Sequence, residues 1–320
     1  MKKIIRTLLA VVLALTFIMP TALMSSCKKN EDDGLNILCT VFPIYDWVRN
    51  VVGDTEGISV SLLVNNGTDL HSYQPSFADT AAIKDSDAVV YVGGPSDTWV
   101  EDAIHNDTVS IKLSDVEGIN LYNVSAHSIA EDHGHEHGHS DIFDEHLWLS
   151  IKNAIVSTEA ICNTLSQLDE KNADAYRDNT DTYQHKLTSL DEQMERVADS
   201  INEAVIFADR FPFVYLFEDY GIDYYAAFEG CTTETNANFD TVIALSERLK
   251  ASQCGHLFTT ESPNTALVDS IIREASVNSR TVTLNSMQSI GGADVENSSY
   301  VDIMERNVTV INQIFSKSEG

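Results

Sequence analysis

The sequence predicts an α/β protein of two lobes, each a mostly parallel sheet flanked by helices, joined by one long connecting helix. Three observations lead there. Short apolar runs of strand length alternate with segments of helical period, the pattern of parallel β-α-β units. The alternation occurs twice, once on each side of a stretch of different character. That stretch, Asp169–Asn202, contains neither Gly nor Pro and repeats its apolar residues at helical spacing.

In the first half, Asn36–Phe42 reads as a strand, Tyr45–Val52 as a helix and Ile58–Val64 as a strand that enters the polar loop Asn65 to Pro75. Phe77–Lys84 reads as a helix, Ala88–Val92 as a buried strand stopped by Gly93-Gly94-Pro95, and another helix begins near Ile151. In the middle stretch the apolar positions are Ala173, Tyr176, Tyr183, Leu187, Leu190, Met194, Val197 and Ile201, mostly steps of three, four or seven. At about 1.5 Å per residue, one unbroken helix here is about 50 Å long and can run along both lobes. In the second half, Ala204–Ala208, Tyr224–Phe228, His256–Thr260 and Thr281–Leu284 read as strands. Pro212–Tyr220, Phe239–Lys250, Thr265–Ala275 and Tyr300–Phe315 read as the helices between and after them. The expected organisation is an export signal over 1–26, a polar tether over 27–34, a first lobe over 35–168, the connecting helix over 169–203 and a second lobe over 204–320.

The chain start carries Lys2, Lys3 and Arg6, then an almost wholly apolar run from Ile4 to Met19, then small and polar residues. This is the layout of a secretory signal, and the run is short for a membrane span. It ends Leu23-Met24-Ser25-Ser26-Cys27, small residues before a Cys, as in a bacterial lipobox whose cleavage leaves a lipidated Cys27. The polar tether that follows, Lys28 to Gly34, would let a domain stand off a membrane. The expected location is therefore outside the cytoplasm, anchored through Cys27. A net charge of −29 disfavours nucleic acid and anionic substrates. The four other cysteines, Cys39, Cys162, Cys231 and Cys254, form no CxxC pair. Cys231 and Cys254 could meet if their strands are neighbours, and burial as small hydrophobes is the preferred reading of all four.

The chemistry concentrates in histidine. Of ten His, five lie between His127 and His139: His127, His133, His135, His137 and His139, in a Gly- and acid-rich loop over 127–141. Such a segment cannot build a core but offers many imidazoles, ligands suited to zinc, copper and nickel. A flexible loop holds metal loosely, whereas a specific receptor needs ligands fixed on a scaffold. Two other His meet that need. His71 sits in Gly67-Thr-Asp-Leu-His-Ser-Tyr-Gln-Pro75, a loop leaving a predicted strand, and His146 sits in Asp144-Glu-His-Leu-Trp-Leu-Ser150, just before a helix. Ligands of open α/β sheets bind beyond the carboxyl ends of strands.

The order of these motifs resembles the zinc-uptake branch of the cluster A-I (cluster 9) metal-binding solute receptors of ABC importers. The lipobox, His71 with Pro75, the His-rich acidic loop, His146-Leu-Trp-Leu-Ser150, the long helix and Tyr220-Gly-Ile all match, across essentially the whole chain after the signal. The resemblance implies that the metal lies in a cleft between the lobes. It further implies a monomeric zinc-binding lipoprotein, not an enzyme, that gives Zn²⁺ to a membrane permease driven by ATP. It also exposes two departures. Arg210 stands where the family takes its third ligand, and Asn285 where it takes an Asp. Arg has no lone pair to give. Glu234, Glu261 and Asp209, each at or just after a predicted strand end, are the expected substitutes, with Glu229 nearby; Arg210 could instead pair with one of the acids and orient it.

Other functions weigh less. A manganese or iron receptor of the same fold would lean on carboxylates, against the His-rich loop. A zinc hydrolase would need an open coordination site and a general base, and no His-Glu-x-x-His helix is expected, the run His135-Glu-His-Gly-His139 standing in the Gly-containing loop, and no Gly-x-Ser-x-Gly motif occurs. An adhesin role, as some relatives carry, is compatible with the sequence.

Overall fold

The computed structural model describes residues 34–123, 143–228 and 239–316. The signal, Cys27, the His-rich loop (His127, His133, His135, His137 and His139), Glu229, Cys231 and Glu234 lie outside the described residues.

Strands β1 (Leu35–Cys39), β2 (Ile58–Leu62), β3 (Ala88–Tyr91) and β4 (Val109–Lys112) form one sheet in the order β2-β1-β3-β4. Strands β5 (Val205–Phe207), β6 (Tyr224–Ala226), β7 (His256–Thr259) and β8 (Arg280–Thr283) form a second in the order β6-β5-β7-β8. Every pairing is parallel. The two sheets share one pattern: the chain starts on an inner strand, steps to one edge, then returns to the other side of its start. Each sheet therefore has a switch point, β1/β3 and β5/β7, where a crevice opens beyond the strand ends.

The helices of the first half are α1 (Phe42–Val52), α2 (Phe77–Asp85), α3 (Trp99–Ala103) and α4 (Ile151–Leu168). After them come α5 (Ala173–Ala198), α6 (Val214–Glu218), α7 (Phe239–Ala251), α8 (Thr265–Ala275) and α9 (Tyr300–Phe315). The first strand, expected to reach Phe42, stops at Cys39: Val41 is extended, and Pro43 in the first turn starts a helix at Phe42. Strand β4 carries too short an alternation, Val-Ser-Ile-Lys, to be read from sequence. It forms because β3 offers it a free edge.

The connecting helix is shorter than expected. It spans Ala173–Ala198, 26 residues or about 39 Å, preceded by a 3₁₀ turn over Glu170–Asn172. Asp169 explains the late start. Its side chain accepts from Tyr176 Oη and Asn172 Nδ2, both at 2.7 Å, and so offers the backbone an alternative to helix. The apolar stripe is buried as its period requires, with Thr180 filling the gap between Tyr176 and Tyr183. That face packs on α1 and α4 from the first half and on α9 from the second. One continuous core results, from Trp47 through Tyr183 to Phe207 and Val308. Buried Asp46 on α1 ties the same three layers, accepting from Tyr183 Oη at 3.2 Å and from Tyr300 N at 3.1 Å. Cys39 and Cys162 are buried as small hydrophobes, and Cys254 is half-buried. Among the described residues no helix is long and apolar enough to cross a membrane.

Candidate metal centre

The two fixed His meet although 75 residues separate them. His71 Nε2 and His146 Nε2 lie 3.0 Å apart, with ring centroids 4.9 Å apart. His71 follows β2, in a 3₁₀ turn over Leu70–Ser72, and its own N–H donates to the Asp69 side chain at 3.0 Å. His146 precedes a second 3₁₀ turn, Leu147–Leu149, that feeds α4.

Each ring is held from behind by a carboxylate. His146 Nδ1 meets Asp144 Oδ1 at 2.6 Å, and the same oxygen accepts from His146 N at 2.9 Å. His71 Nδ1 meets Glu145 Oε2 at 2.9 Å and Ser96 Oγ at 3.0 Å. A ring that gives its Nδ1 proton to a carboxylate presents a lone pair at Nε2, which is how His is readied for metal. Both Nε2 atoms point at one place. Burial works to raise the Glu145 carboxyl, but hydrogen bonds from His71 and Ser96 outweigh it and hold it below 4.5. Glu145 stays anionic behind His71. Gly94 makes room for it, since a Cβ there would lie 2.5 Å from Glu145 Cγ. Neighbouring Asp97 accepts from the N–H groups of Val92, Gly93 and Gly94. Burial, with Glu145 nearby, pushes its carboxyl up to about 7.

The segment that carries His146 is fixed largely by the second half of the chain. Tyr215 Oη donates to Asp144 O at 2.6 Å, Tyr300 Oη to Trp148 O at 2.8 Å, and Trp148 Nε1 to Ser286 O at 3.0 Å. Asp219 accepts from Tyr122 Oη at 2.9 Å and from Ser150 Oγ. The loop after β8 also crosses the loop after β2: Gly292 N donates to Asn65 O at 2.9 Å.

The acids expected from the second half are placed as follows. Asp209, just past β5, is buried and accepts from Thr260 Oγ1 at 2.6 Å. Glu261, just past β7, accepts from Ser286 N at 2.9 Å and Ser286 Oγ at 2.7 Å. Arg210 reaches Asp69 Oδ2 at 3.5 Å, so it pairs across to the His71 loop. Asn285 closes a turn, accepting from Met287 N at 2.8 Å, while its backbone N–H and C=O bond Asn307. Among the described residues, no group of three or more His, Cys, Asp or Glu is placed to hold a metal.

What the His pair has beside it instead is Gln288, whose side-chain amide touches His146 Nε2. Little in one dimension signals it, because an amide three residues past the motif position, Asn285, looks like loop. Met287 is the reason it arrives there. It adopts φ 63°, the left-handed region, buried in the turn, and that reversal sends Gln288 back toward His146.

A profile of the family described as "ZnuA: Zinc-uptake complex component A periplasmic" matches residues 37–314. The chain belongs to that family. It is 30% identical over 291 residues to the zinc-binding lipoprotein AdcA of Streptococcus pneumoniae (strain ATCC BAA-255 / R6), a match that covers 90% of this chain and 57% of that protein. The chain thus spans little more than half the length of that relative. The high-affinity zinc uptake system protein ZnuA of Bacillus subtilis (strain 168) is 25% identical over 307 residues, covering 94% of this chain and 95% of that one. Among solved structures, the Zn(II)-bound ZnuA-like domain of Streptococcus pneumoniae AdcA superposes with a TM-score of 0.70 at 26% identity, covering 89% of this chain and all of that domain. The two parallel sheets and long helix are the ZnuA-family architecture expected from the sequence.

Proposed function

We propose that this protein captures a zinc ion outside the cytoplasm and releases it to an ATP-driven membrane permease. The observation that carries the reading is the pair of Nε2 atoms 3.0 Å apart, each ring backed by its own carboxylate. Two Zn–N bonds of about 2.05 Å at a tetrahedral angle set nitrogens about 3.35 Å apart. The rings therefore need to part by only a few tenths of an ångström to admit zinc. Their support, from residues on both halves of the chain, suits a site that is built before the ion arrives.

His71 and His146 are the ligands in this reading. Glu261, which accepts from Ser286, Asp209, which accepts from Thr260, and Glu234 are the further ligands proposed from the second half. His127, His133, His135, His137 and His139 form an accessory collector that passes ions to the fixed site. Residues 1–26 direct export, and a lipidated Cys27 with the tether 27–34 holds the lobes 35–168 and 204–320, linked through 169–203, at the membrane. The protein acts as a monomer, and its work is capture, not catalysis.

The test is calorimetric titration of the purified protein with Zn²⁺ and Mn²⁺, in the parent chain, in His71→Ala and in a chain lacking residues 132–139. One tight zinc site that survives the deletion and is lost in His71→Ala supports the reading. Weak multiple binding that disappears with the deletion would sink it.

A further inference from the structure

The loop that leaves β2 and carries His71 is gripped by the second half of the chain at three alternate residues, Asn65, Gly67 and Asp69. Gly292 N reaches Asn65 twice, at its carbonyl oxygen (2.9 Å) and at its side-chain Oδ1 (2.8 Å). Gly67 lies against the same loop after β8, since a Cβ on Gly291 would stand 2.3 Å from Gly67 N. Asp69 Oδ2 meets Arg210 Nη1 at 3.5 Å. The first two grips hold backbone well ahead of His71. The third comes from a different place, just past β5, and acts two residues before His71.

Asp69 divides its oxygens between two partners. Oδ1 accepts from His71 N at 3.0 Å, and Oδ2 faces the guanidinium. The first contact fixes the His71 backbone only while the carboxylate keeps its rotation, and a carboxylate held by one oxygen turns more easily than one held by both. Arg210 supplies the second hold. Its guanidinium is charged at any working pH and has no lone pair to spend on a metal. Both side chains are partly shielded, at 29% and 12% exposure, so the pair is less screened than one in open water. We infer that Arg210 is a positioning residue of the metal site, which acts through Asp69 to keep His71 aimed before the cation arrives.

The inference rests on the receptor reading and adds to it the means by which the second half sets His71. The segment of His146 is set by neutral hydrogen bonds from Tyr215, Tyr300 and the Ser286 carbonyl, whereas the loop of His71 receives a charged one. A cation beside a cation site also has an opposite effect. As a bare charge, Arg210 repels the incoming ion, and its removal would leave Asp69 unneutralised and tighten zinc. As a positioning group, its removal leaves His71 less fixed and weakens zinc. Positioning prevails here, because it runs through direct contacts, while charge acting at a distance is screened over about 8 Å at physiological ionic strength.

The experiment compares the full-length purified parent with Arg210→Met, Arg210→Lys, Asp69→Asn and the double variant Arg210→Met/Asp69→Asn, each titrated with Zn²⁺ against a competing chelator at about 0.15 M salt. Asp69→Asn keeps an oxygen for His71 N–H and loses the charge that Arg210 holds. Arg210→Met and Asp69→Asn each weaken zinc by about two- to five-fold, the range of a partly exposed pair. The double variant is no weaker than either, because the pair acts as a unit. Arg210→Lys, which keeps a cation for Oδ2, recovers most of the affinity. In the metal-free proteins, hydrogen exchange over residues 65–75 is faster in Arg210→Met than in the parent, and Zn²⁺ slows it by the larger factor in the variant. Tighter zinc binding in Arg210→Met, with the double variant back at the parent value, would overturn the assignment and leave Arg210 a repelling charge. Parent-like affinity and exchange in Arg210→Met would overturn it as well, with the receptor reading intact. A parent protein that shows no tight zinc site would overturn both.

Discussion

Asp46 stores a measurable pH dependence in the middle of the molecule. It is 9% exposed, and three donors converge on one of its oxygens: Tyr183 Oη, Tyr300 N and Asn50 Nδ2, at 3.2, 3.1 and 3.3 Å from Oδ2. Burial pushes its carboxyl from 3.8 up to about 6, the hydrogen bonds from Tyr300 and Tyr183 offsetting only part of that. The folded protein thus binds this proton more tightly than the unfolded chain does. The stabilisation is fully present below pH 3.8 and is lost as pH rises through about 6. The gap corresponds to about 3 kcal/mol at about 1.36 kcal/mol per pH unit. Asp46→Asn removes the buried charge and still offers one oxygen to the three donors. It gives up the attraction of Arg49, half-exposed nearby. The expected gain is about 2 kcal/mol at pH 7.5, shrinking to nothing near pH 4. Urea unfolding of the chelator-treated protein, followed by tryptophan fluorescence between pH 4 and 8, measures it; chelation keeps bound metal from adding its own stabilisation. No gain at pH 7.5, or an equal gain at both ends of the range, would refute the reasoning.

Three further outcomes follow from the site. Asp144→Asn lets the wrong tautomer of His146 form and removes the charge behind it, so zinc affinity falls by about 10- to 100-fold with little change in melting temperature; unchanged affinity in a titration would refute the tautomer argument. Tyr215→Phe leaves the buried Asp144 carbonyl without its 2.6 Å donor, costing about 1–2 kcal/mol in urea unfolding, and loosens His146 enough to weaken zinc binding. Gly291→Ala places a Cβ 2.3 Å from the backbone N of Gly67 at an ordinary extended backbone angle. The loops after β8 and β2 must part, at a cost of about 1–3 kcal/mol. Wild-type stability of that variant would show that the two loops do not bear on each other.

Much of this protein is legible in one dimension because the deciding physics is local. The doubled strand–helix rhythm and the three-and-four spacing from Tyr176 to Val197 report which faces must be buried, and the sheets and long helix obey them. His71 and His146 were readable because each stands in a short polar motif at a strand or helix end. The start of the long helix is less so: Asp169 delays it by side-chain hydrogen bonds that no periodicity records.

What joins the two His was decided in three dimensions. Counting along the motif leads to Arg210 and Asn285, yet Arg210 turns to Asp69 and Asn285 closes a turn on Met287. Gln288 reaches His146 across 142 residues of chain because Met287 reverses the backbone, Trp148 grips the Ser286 carbonyl and Glu261 holds the Ser286 hydroxyl. Each of those contacts joins residues far apart in sequence. The sequence by itself determined that two histidines would stand in polar motifs, His71 after a strand of an α/β sheet and His146 before a helix, since residue type and local period suffice for that. Only the tertiary structure decided which side chain from the second half meets them, because that depends on where a backbone reversal aims an amide.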